Sequence, residues 1–185
     1  MDQKSLKKEY AEYREKYRPQ KNGGKIEVLF IAESPPAPDN DNSSPYFYNK
    51  ETQGTKRALW RHLSKALYGK EISDKEEFLR RFQNSGYFLI DVFQTKKELN
   101  NTIEEVKASK YKNAVRVSQN LFDRILKHNP DKVVFLGKRS AKLIAGCLPF
   151  GSEGNIEKFK KFIRLFVVWI IIRKARKNLK NFSTI

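Results

Sequence analysis

The chain has 185 residues, which suits a single domain over residues 1–185 with a buried core, and its 39% hydrophobic and 12% aromatic content excludes a disordered chain. Lysine and arginine number 38 against 21 aspartates and glutamates, so the net charge of +17 favours a polyanion such as nucleic acid as partner. A lysine-rich proteome produces the same excess without nucleic-acid binding, so charge alone leaves both interpretations open.

The first predicted elements are a helix and a buried strand. A leucine and three tyrosines at spacings of three and four predict an amphipathic helix over residues 3–17, within an N-terminal helical segment 1–22. This segment lacks the apolar core of a signal peptide, which fits a cytoplasmic protein. Residues 26–31 are apolar and rich in β-formers, and two prolines soon end the run. Glu33 therefore stands where a strand gives way to a loop.

Two helices separate this strand from the next. The preceding loop, residues 37–50, holds three consecutive aromatic residues, Tyr46, Phe47 and Tyr48. A basic helix is predicted over about 52–68. A second is predicted over about 73–84, where Ser73 and Glu76 fit a capping box.

The next elements are two strands joined by a helix. Residues 87–93 form an apolar strand with Asp91 near its carboxyl end. Apolar positions on one side predict a helix over 112–128. Residues 132–136 form a third buried strand, and Gly137 turns it into a further helix.

The C-terminal part contains a loop, an apolar run and a basic tail. Asn155 ends the loop and is suited to cap a last helix. Residues 165–172 are apolar but far shorter than the roughly 20 residues that span a membrane. They fit core better than a dimer or membrane-surface contact, and residues 173–185 form a basic tail. A single cysteine, Cys147, excludes an intrachain disulfide and a four-cysteine cluster.

Strands that alternate with helices predict an α/β fold with a mostly parallel sheet covered on both faces. Ligands bind such sheets beyond the carboxyl ends of the strands. Glu33, Asp91 and Gly137 all lie at such ends, so we expect them to meet at one cleft.

The order of these motifs resembles the uracil-DNA glycosylase superfamily, especially its small thermophile-type branch. That family has a strand followed by Gly-Glu-Ala-Pro-Gly, and Ala32-Glu33-Ser34-Pro35-Pro36 stands in that place here. An aromatic residue in the next loop corresponds to Phe47 or a neighbouring tyrosine. An asparagine at the next strand end corresponds to Asp91, and a loop before the last helix to residues 148–155. The resemblance covers about residues 25–165 and implies a three-layer α/β/α sandwich with a central four-stranded sheet.

The chain departs from the family pattern at four points. Pro36 replaces the closing glycine, Asp91 replaces the asparagine, and the second motif has no histidine. The four cysteines that bind an iron–sulfur cluster are also absent, so no cluster is expected. Two histidines are too few for a histidine-rich metal site, and no other metal or cofactor is expected.

The resemblance implies a monomeric DNA glycosylase that flips a damaged or deaminated base and hydrolyses its N-glycosidic bond. Glu33 would stabilise the cationic sugar and position or deprotonate a water, or Asp91 would be the water-activating base. The aromatic residues 46–48 would hold the flipped base. Core packing is the structural alternative for these aromatics, and capping or salt bridging is the alternative for Glu33.

Asp91 and Asn155 are the candidate polar contacts to the base. Ionised, Asp91 only accepts hydrogen bonds and suits an exocyclic amino group, whereas a protonated Asp91 donates but needs a raised pKa in a dry pocket. Asn155 substitutes for the missing histidine or simply caps a helix. The candidate DNA contacts are Ser34, Pro35, Lys138, Arg139 and Ser152.

Two other functions compete with a glycosylase. One is a catalytically silent relative that keeps the fold and binds nucleic acid. The other is an enzyme acting on a small nucleotide, but residues 137–140 lack the glycine spacing of an ATP-binding phosphate loop.

Overall fold

The computed structural model describes residues 2–37, 46–52, 58–101 and 112–137. Their principal elements are, in chain order, α1 (Gln3–Lys16), β1 (Val28–Ala32), α2 (Leu59–Tyr68), α3 (Lys75–Asn84), β2 (Tyr87–Asp91), α4 (helical over 96–101), α5 (Lys112–His128) and β3 (Lys132–Phe135). A short 3-10 turn, Lys21–Gly24, joins α1 to β1. The predicted bounds of α1, α3 and α5 agree with these to within two residues.

The three strands in the described part of the chain form one parallel sheet in the order β2-β1-β3. In the central strand, Leu29 pairs with Phe88 on one side and with Val133 on the other. Parallel neighbours need crossover connections, and helices provide them here. The α/β class and the parallel sheet are thus confirmed, with three strands in the described residues where four were expected.

The capping residue of α3 differs from the prediction. The side chain of Asp74 accepts hydrogen bonds from the backbone N–H groups of Glu76 (3.3 Å) and Glu77 (2.9 Å). Asp74 is therefore the N-cap, and the predicted Ser73–Glu76 box is wrong by one residue. An aspartate caps as well as a serine, and its charge also interacts favourably with the positive end of the helix dipole.

Two element bounds also need correction. The basic helix begins at Leu59 rather than near Thr52, because the Thr52 N–H donates to the Asn49 carbonyl in a turn. Strand β2 ends at Asp91 rather than at residue 93.

Helices pack against both faces of the sheet. Phe30 pairs with Leu89, so it lies on the face opposite to Phe88, because successive strand residues alternate. Phe82 of α3 lies 5.4 Å from Phe30 between ring centroids, and His128 at the end of α5 lies 5.3 Å from Phe88. The buried core therefore continues on either side of the sheet.

None of the helices in the described ranges is long and apolar enough to cross a membrane. The apolar run 165–172 and the basic tail 173–185 lie outside the described residues, as do the predicted loop 148–155 and the helix beyond it.

Candidate active site at the strand ends

The sheet brings Glu33 beside the end of β2. Ala32 pairs with Asp91 as the last pair of the β1–β2 ladder. The pairing then continues past the strands, because the Val92 N–H donates to the Ala32 carbonyl (2.8 Å) and the Phe93 N–H donates to the Glu33 carbonyl (3.0 Å). The backbone of Glu33 is therefore fixed on its neighbour at the edge where α/β proteins bind ligands.

The residues of the Ala32-Glu33-Ser34-Pro35-Pro36 motif lie at and directly after this hydrogen-bonded strand end. Glu33 and Ser34 are half-buried and Pro35 is buried, while Pro36 is exposed. The strand end and loop thus lie where the sequence predicted them. The roles of Glu33 in catalysis and of Ser34 and Pro35 in DNA contact stay predictions.

Asp91 is the buried carboxyl of this edge, with 5% of the residue exposed. Burial raises the pKa of Asp91 from 3.8 to about 7, while the guanidinium groups of Arg124 and Arg14 act in the opposite direction. A carboxyl that titrates near neutral pH is suited to general acid–base chemistry. The raised pKa also meets the condition under which Asp91 donates a hydrogen bond to a base.

Two arginines beside Asp91 were not found by the sequence reasoning. Arg124 of α5 donates from Nη1 to the Val92 carbonyl at 3.2 Å, so it reaches the residue that follows Asp91. Burial lowers the pKa of Arg124, and the charge of Arg14 lowers it further, whereas Asp91 raises it. Asp91 therefore lies within the electrostatic reach of both guanidinium groups, and Glu98 also acts on the guanidinium group of Arg124.

A helical spacing rule would have indicated both arginines. Arg124 lies between the buried Leu121 and Ile125, and Arg14 lies four residues after the buried Tyr10. A cation within an apolar helix stripe faces the interior, where it needs a polar partner.

The aromatic segment packs into the core. Tyr46, Phe47 and Tyr48 are all buried. Tyr46 stacks on Tyr10 of α1 at 4.2 Å between centroids, and Phe47 contacts Phe82 of α3 at 5.5 Å. The structure thus gives the three rings the packing role that was the alternative to base binding, and base binding by them stays a prediction.

The hydroxyl groups of the two tyrosines differ in their partners. The Tyr48 hydroxyl accepts a hydrogen bond from the Leu89 N–H (2.7 Å) and donates to the Leu89 carbonyl (3.2 Å). The Tyr46 hydroxyl is buried, and the side chain of Arg14 lies close to it. Burial raises the pKa of Tyr46, as does the charge of Asp91, while Arg14 lowers it.

Lys75 holds the aromatic segment against α3. Its residue is 1% exposed, and its Nζ donates to the backbone carbonyls of Tyr46 (2.9 Å), Asn49 (2.6 Å) and Thr52 (2.8 Å). Burial lowers the pKa of Lys75 to about 8. The three carbonyls favour the ammonium form, because a neutral amine has only two N–H donors.

Helix α1 is tied to the chain that follows β2. Gln3 Nε2 donates to Thr95 Oγ1 at 2.9 Å, and Lys7 pairs with Glu98 at 3.2 Å. Thr95 Oγ1 also accepts from the Glu98 N–H at 3.1 Å, while Glu98 Oε2 accepts from the Gln94 N–H at 2.9 Å, so these side chains start α4.

The remaining predicted site residues lie outside the described residues. They are Lys138, Arg139, Ser152 and Asn155. Gly137, just before them, has a positive φ of 107°, which fits the predicted turn after β3. Within the described ranges, no group of three or more His, Cys, Asp or Glu side chains is arranged to hold a metal ion.

The strand-end arrangement is a half-buried glutamate, Glu33, after one strand and a buried aspartate, Asp91, at the end of the neighbouring strand, with two arginines acting on the pKa of Asp91. No protein-family model, curated protein or solved structure matches the chain. The strand-end residues and the sequence motifs are therefore the features that indicate a function.

Proposed function

We propose that this protein is a DNA glycosylase of the uracil-DNA glycosylase type, acting as a monomer on a damaged or deaminated base. In this proposal Glu33 stabilises the cationic sugar or positions the water, and Asp91 contacts the base or takes a proton. The proposal includes the finer fold, a four-stranded sheet in a three-layer sandwich.

The observation that carries the proposal is the pairing of the strand ends. Ala32 pairs with Asp91, and the Phe93 N–H bonds to the Glu33 carbonyl, so the two acidic residues occupy neighbouring strand ends. Hydrolysis of an N-glycosidic bond needs a carboxylate near the sugar and a group that handles a proton. Asp91, with a pKa near 7, is suited to the second task.

The positive charge supports the choice of substrate. A net charge of +17 attracts the phosphate backbone, and the two arginines beside Asp91 favour negative charge developing at the same edge. A departing base carries such a charge.

The test is base excision from oligonucleotides that contain uracil, hypoxanthine or a mismatched cytosine. We expect wild type to release at least one of these bases and Glu33→Gln to be slower by about 10²- to 10⁴-fold, the usual contribution of a positioned acid or base. The matched control is Glu27→Gln, since Glu27 is an exposed glutamate just before the same strand.

Equal rates for Glu33→Gln and Glu27→Gln would exclude Glu33 as the catalytic carboxylate. A wild type that releases none of the bases would instead point to the second candidate function, a catalytically silent nucleic-acid-binding relative. The burial of Asp91 and of the aromatic segment favours that candidate, because these side chains expose little surface to a base. Under it, both variants bind DNA as wild type does.

A further inference from the structure

Asp91 is a candidate functional residue that other parts of the protein cover. It is 5% exposed, so a ligand reaches its carboxyl only if a covering element moves. Helix α1 is one of these elements, because Gln3 Nε2 donates to Thr95 Oγ1 (2.9 Å) just beyond Asp91. Farther along the helix, Tyr10 stacks on the buried aromatic segment, and the charge of Arg14 acts on the Asp91 carboxyl. Helix α1 therefore runs past the carboxyl end of β2 and helps to cover it.

Of the elements around Asp91, α1 buries the fewest side chains. Only Tyr10 of its 14 residues is buried, whereas α3, with 10 residues, buries four. The other two neighbours of Asp91 are held more firmly, since α5 buries Leu121 and Ile125 and all three residues of the aromatic segment 46–48 are buried. Elements with few buried apolar side chains open locally while the rest of the protein stays folded.

The C-terminal end of α1 is well attached. Gln83 Nε2 of α3 donates to the backbone carbonyls of Lys16 (3.2 Å) and Arg18 (2.8 Å). The side chain of Arg18 also reaches α5, where its Nη2 lies 3.1 Å from His128 Nδ1. This end of the helix is thus connected to helices on both faces of the sheet.

The N-terminal end of α1 is attached by two contacts between side chains. One is the hydrogen bond from Gln3 to Thr95, and the other is the ion pair of Lys7 with Glu98 at 3.2 Å. Both side chains of the ion pair are 34% exposed, and ion pairs with this access to water contribute little. The N-terminal end is therefore the one that separates first.

We propose that α1 is a movable cover over the carboxyl end of β2, which opens at its N-terminal end and pivots near Gln83 to admit a ligand to Asp91. Opening withdraws Arg14 from Asp91 and Tyr10 from the ring of Tyr46, so a carboxyl and an aromatic face become accessible together. This proposal goes beyond the proposed function, because any ligand of Asp91 needs such an opening and the test involves neither cleavage nor nucleic acid.

The experiment measures the reaction of a thiol placed under the cover. Asp91→Cys is combined with Cys147→Ser, which removes the one natural cysteine, and the single thiol is labelled with a small maleimide. A buried thiol reacts only when the structure opens, so its labelling rate follows the population of the open form.

Two pairs of substitutions in α1 are compared in this chain. Gln3→Ala with Lys7→Ala removes both N-terminal attachments, and Lys4→Ala with Lys8→Ala, the matched control, removes two exposed side chains from the same turns. Labelling should be about 3- to 30-fold faster in the first pair, the usual effect of losing one hydrogen bond and one exposed ion pair. Equal labelling rates in the two pairs overturn the proposal.

A thiol elsewhere in the core separates local opening from a general loss of stability. Ser64 of α2 is 0% exposed, and Ser64→Cys with Cys147→Ser places the reporter there. Its labelling rate should be the same in both pairs of α1 substitutions. The proposal is overturned if labelling at residue 64 accelerates as much as labelling at Asp91→Cys, because the substitutions then loosen the whole fold.

Hydrogen exchange of the unmodified protein tests the same opening with Asp91 in place, and it decides the matter if Asp91→Cys does not fold. The backbone amides of α1 should exchange at least about 10-fold faster than those of α3, because α1 opens without the rest of the core. Equal protection of the two helices overturns the proposal.

Discussion

Burial of Asp91 disfavours the ionised form of its carboxyl group. Burial raises its pKa to about 7, and the two nearby arginines offset only part of that effect. A protein gains no stability from such a group, since an ionised buried carboxylate has lost its hydration. Residues of this kind collect at functional sites, where the proton itself is used. This physical argument, independent of any family pattern, makes Asp91 a candidate functional residue.

The raised pKa predicts how stability depends on pH. The folded state binds the Asp91 proton up to about pH 7, whereas the unfolded chain releases it near pH 3.8, so this residue makes folding less favourable as pH rises between these values. The shift corresponds to about 4 kcal/mol at most. Asp91→Asn should remove this component, which is measured as the difference in urea-unfolding free energy between wild type and variant at pH 5 and pH 8.

The comparison uses Asp123→Asn as its control, an exposed aspartate next to Arg124. Water solvates its carboxylate in both states, so the variant should follow the wild-type pH dependence. If Asp91→Asn also follows wild type from pH 5 to pH 8, the carboxyl does not titrate in this range on folding.

The sequence predicted the positions of the residues at the strand ends only where a local pattern marked them. Glu33 and Asp91 were placed correctly because an apolar strand that gives way to a polar loop is a local signal. Arg14 and Arg124 were missed because their meaning depends on two helices that meet the same strand end. The burial of the three aromatic residues likewise depends on tertiary packing, and the amino-acid composition of their loop does not indicate it.

At the level of elements, α3 organises the segment that carries the aromatics. Lys75 in its first turn binds three carbonyls of residues 46–52 through one ammonium group. Phe78 and Phe82 further along the helix contact Phe47. The segment is therefore fixed by a helix that was predicted correctly, through a lysine that no sequence pattern selects.

Replacing Lys75 by methionine tests this arrangement. Lys75→Met keeps the aliphatic stem but removes the ammonium donor from three carbonyls, although those of Tyr46 and Asn49 keep a backbone N–H donor, so we expect a loss of about 1 to 3 kcal/mol in unfolding free energy. Urea denaturation measures it. The control is Lys70→Met, an exposed lysine that should change stability by less than about 0.5 kcal/mol. Equal stability of the two variants would show that the carbonyls find other partners.

The helix starts show why element bounds were less predictable than element types. Both Ser73 and Asp74 are good caps, and only the geometry of the first turn of α3 selects Asp74. The parallel sheet, in contrast, followed from the alternation of strands and helices, which constrains topology strongly.

For the whole molecule, the charge of +17 sets how any nucleic acid is bound. Binding that relies on phosphate contacts releases counterions, so affinity should fall steeply with salt. We expect the affinity for a short DNA duplex to fall at least about 100-fold between 50 and 200 mM salt, as measured by fluorescence anisotropy.

The melting temperature over the same salt range is the internal control. It should stay level or rise, because salt screens repulsion among the excess cations. A loss of affinity without a loss of folded protein then reports on phosphate contacts. If the affinity for DNA does not change with salt, the interpretation that the positive charge serves to bind nucleic acid is contradicted.

The two hydrogen bonds between Tyr48 and Leu89 affect the tendency of this protein to self-associate through the edge of its sheet. In the described part of the chain β2 has β1 on one side only, so its outer backbone groups are a template for a strand from another molecule. The phenol blocks that template at Leu89 by occupying both its donor and its acceptor. Tyr48→Phe would therefore expose an edge for intermolecular strand addition, and self-association would increase alongside the loss of stability.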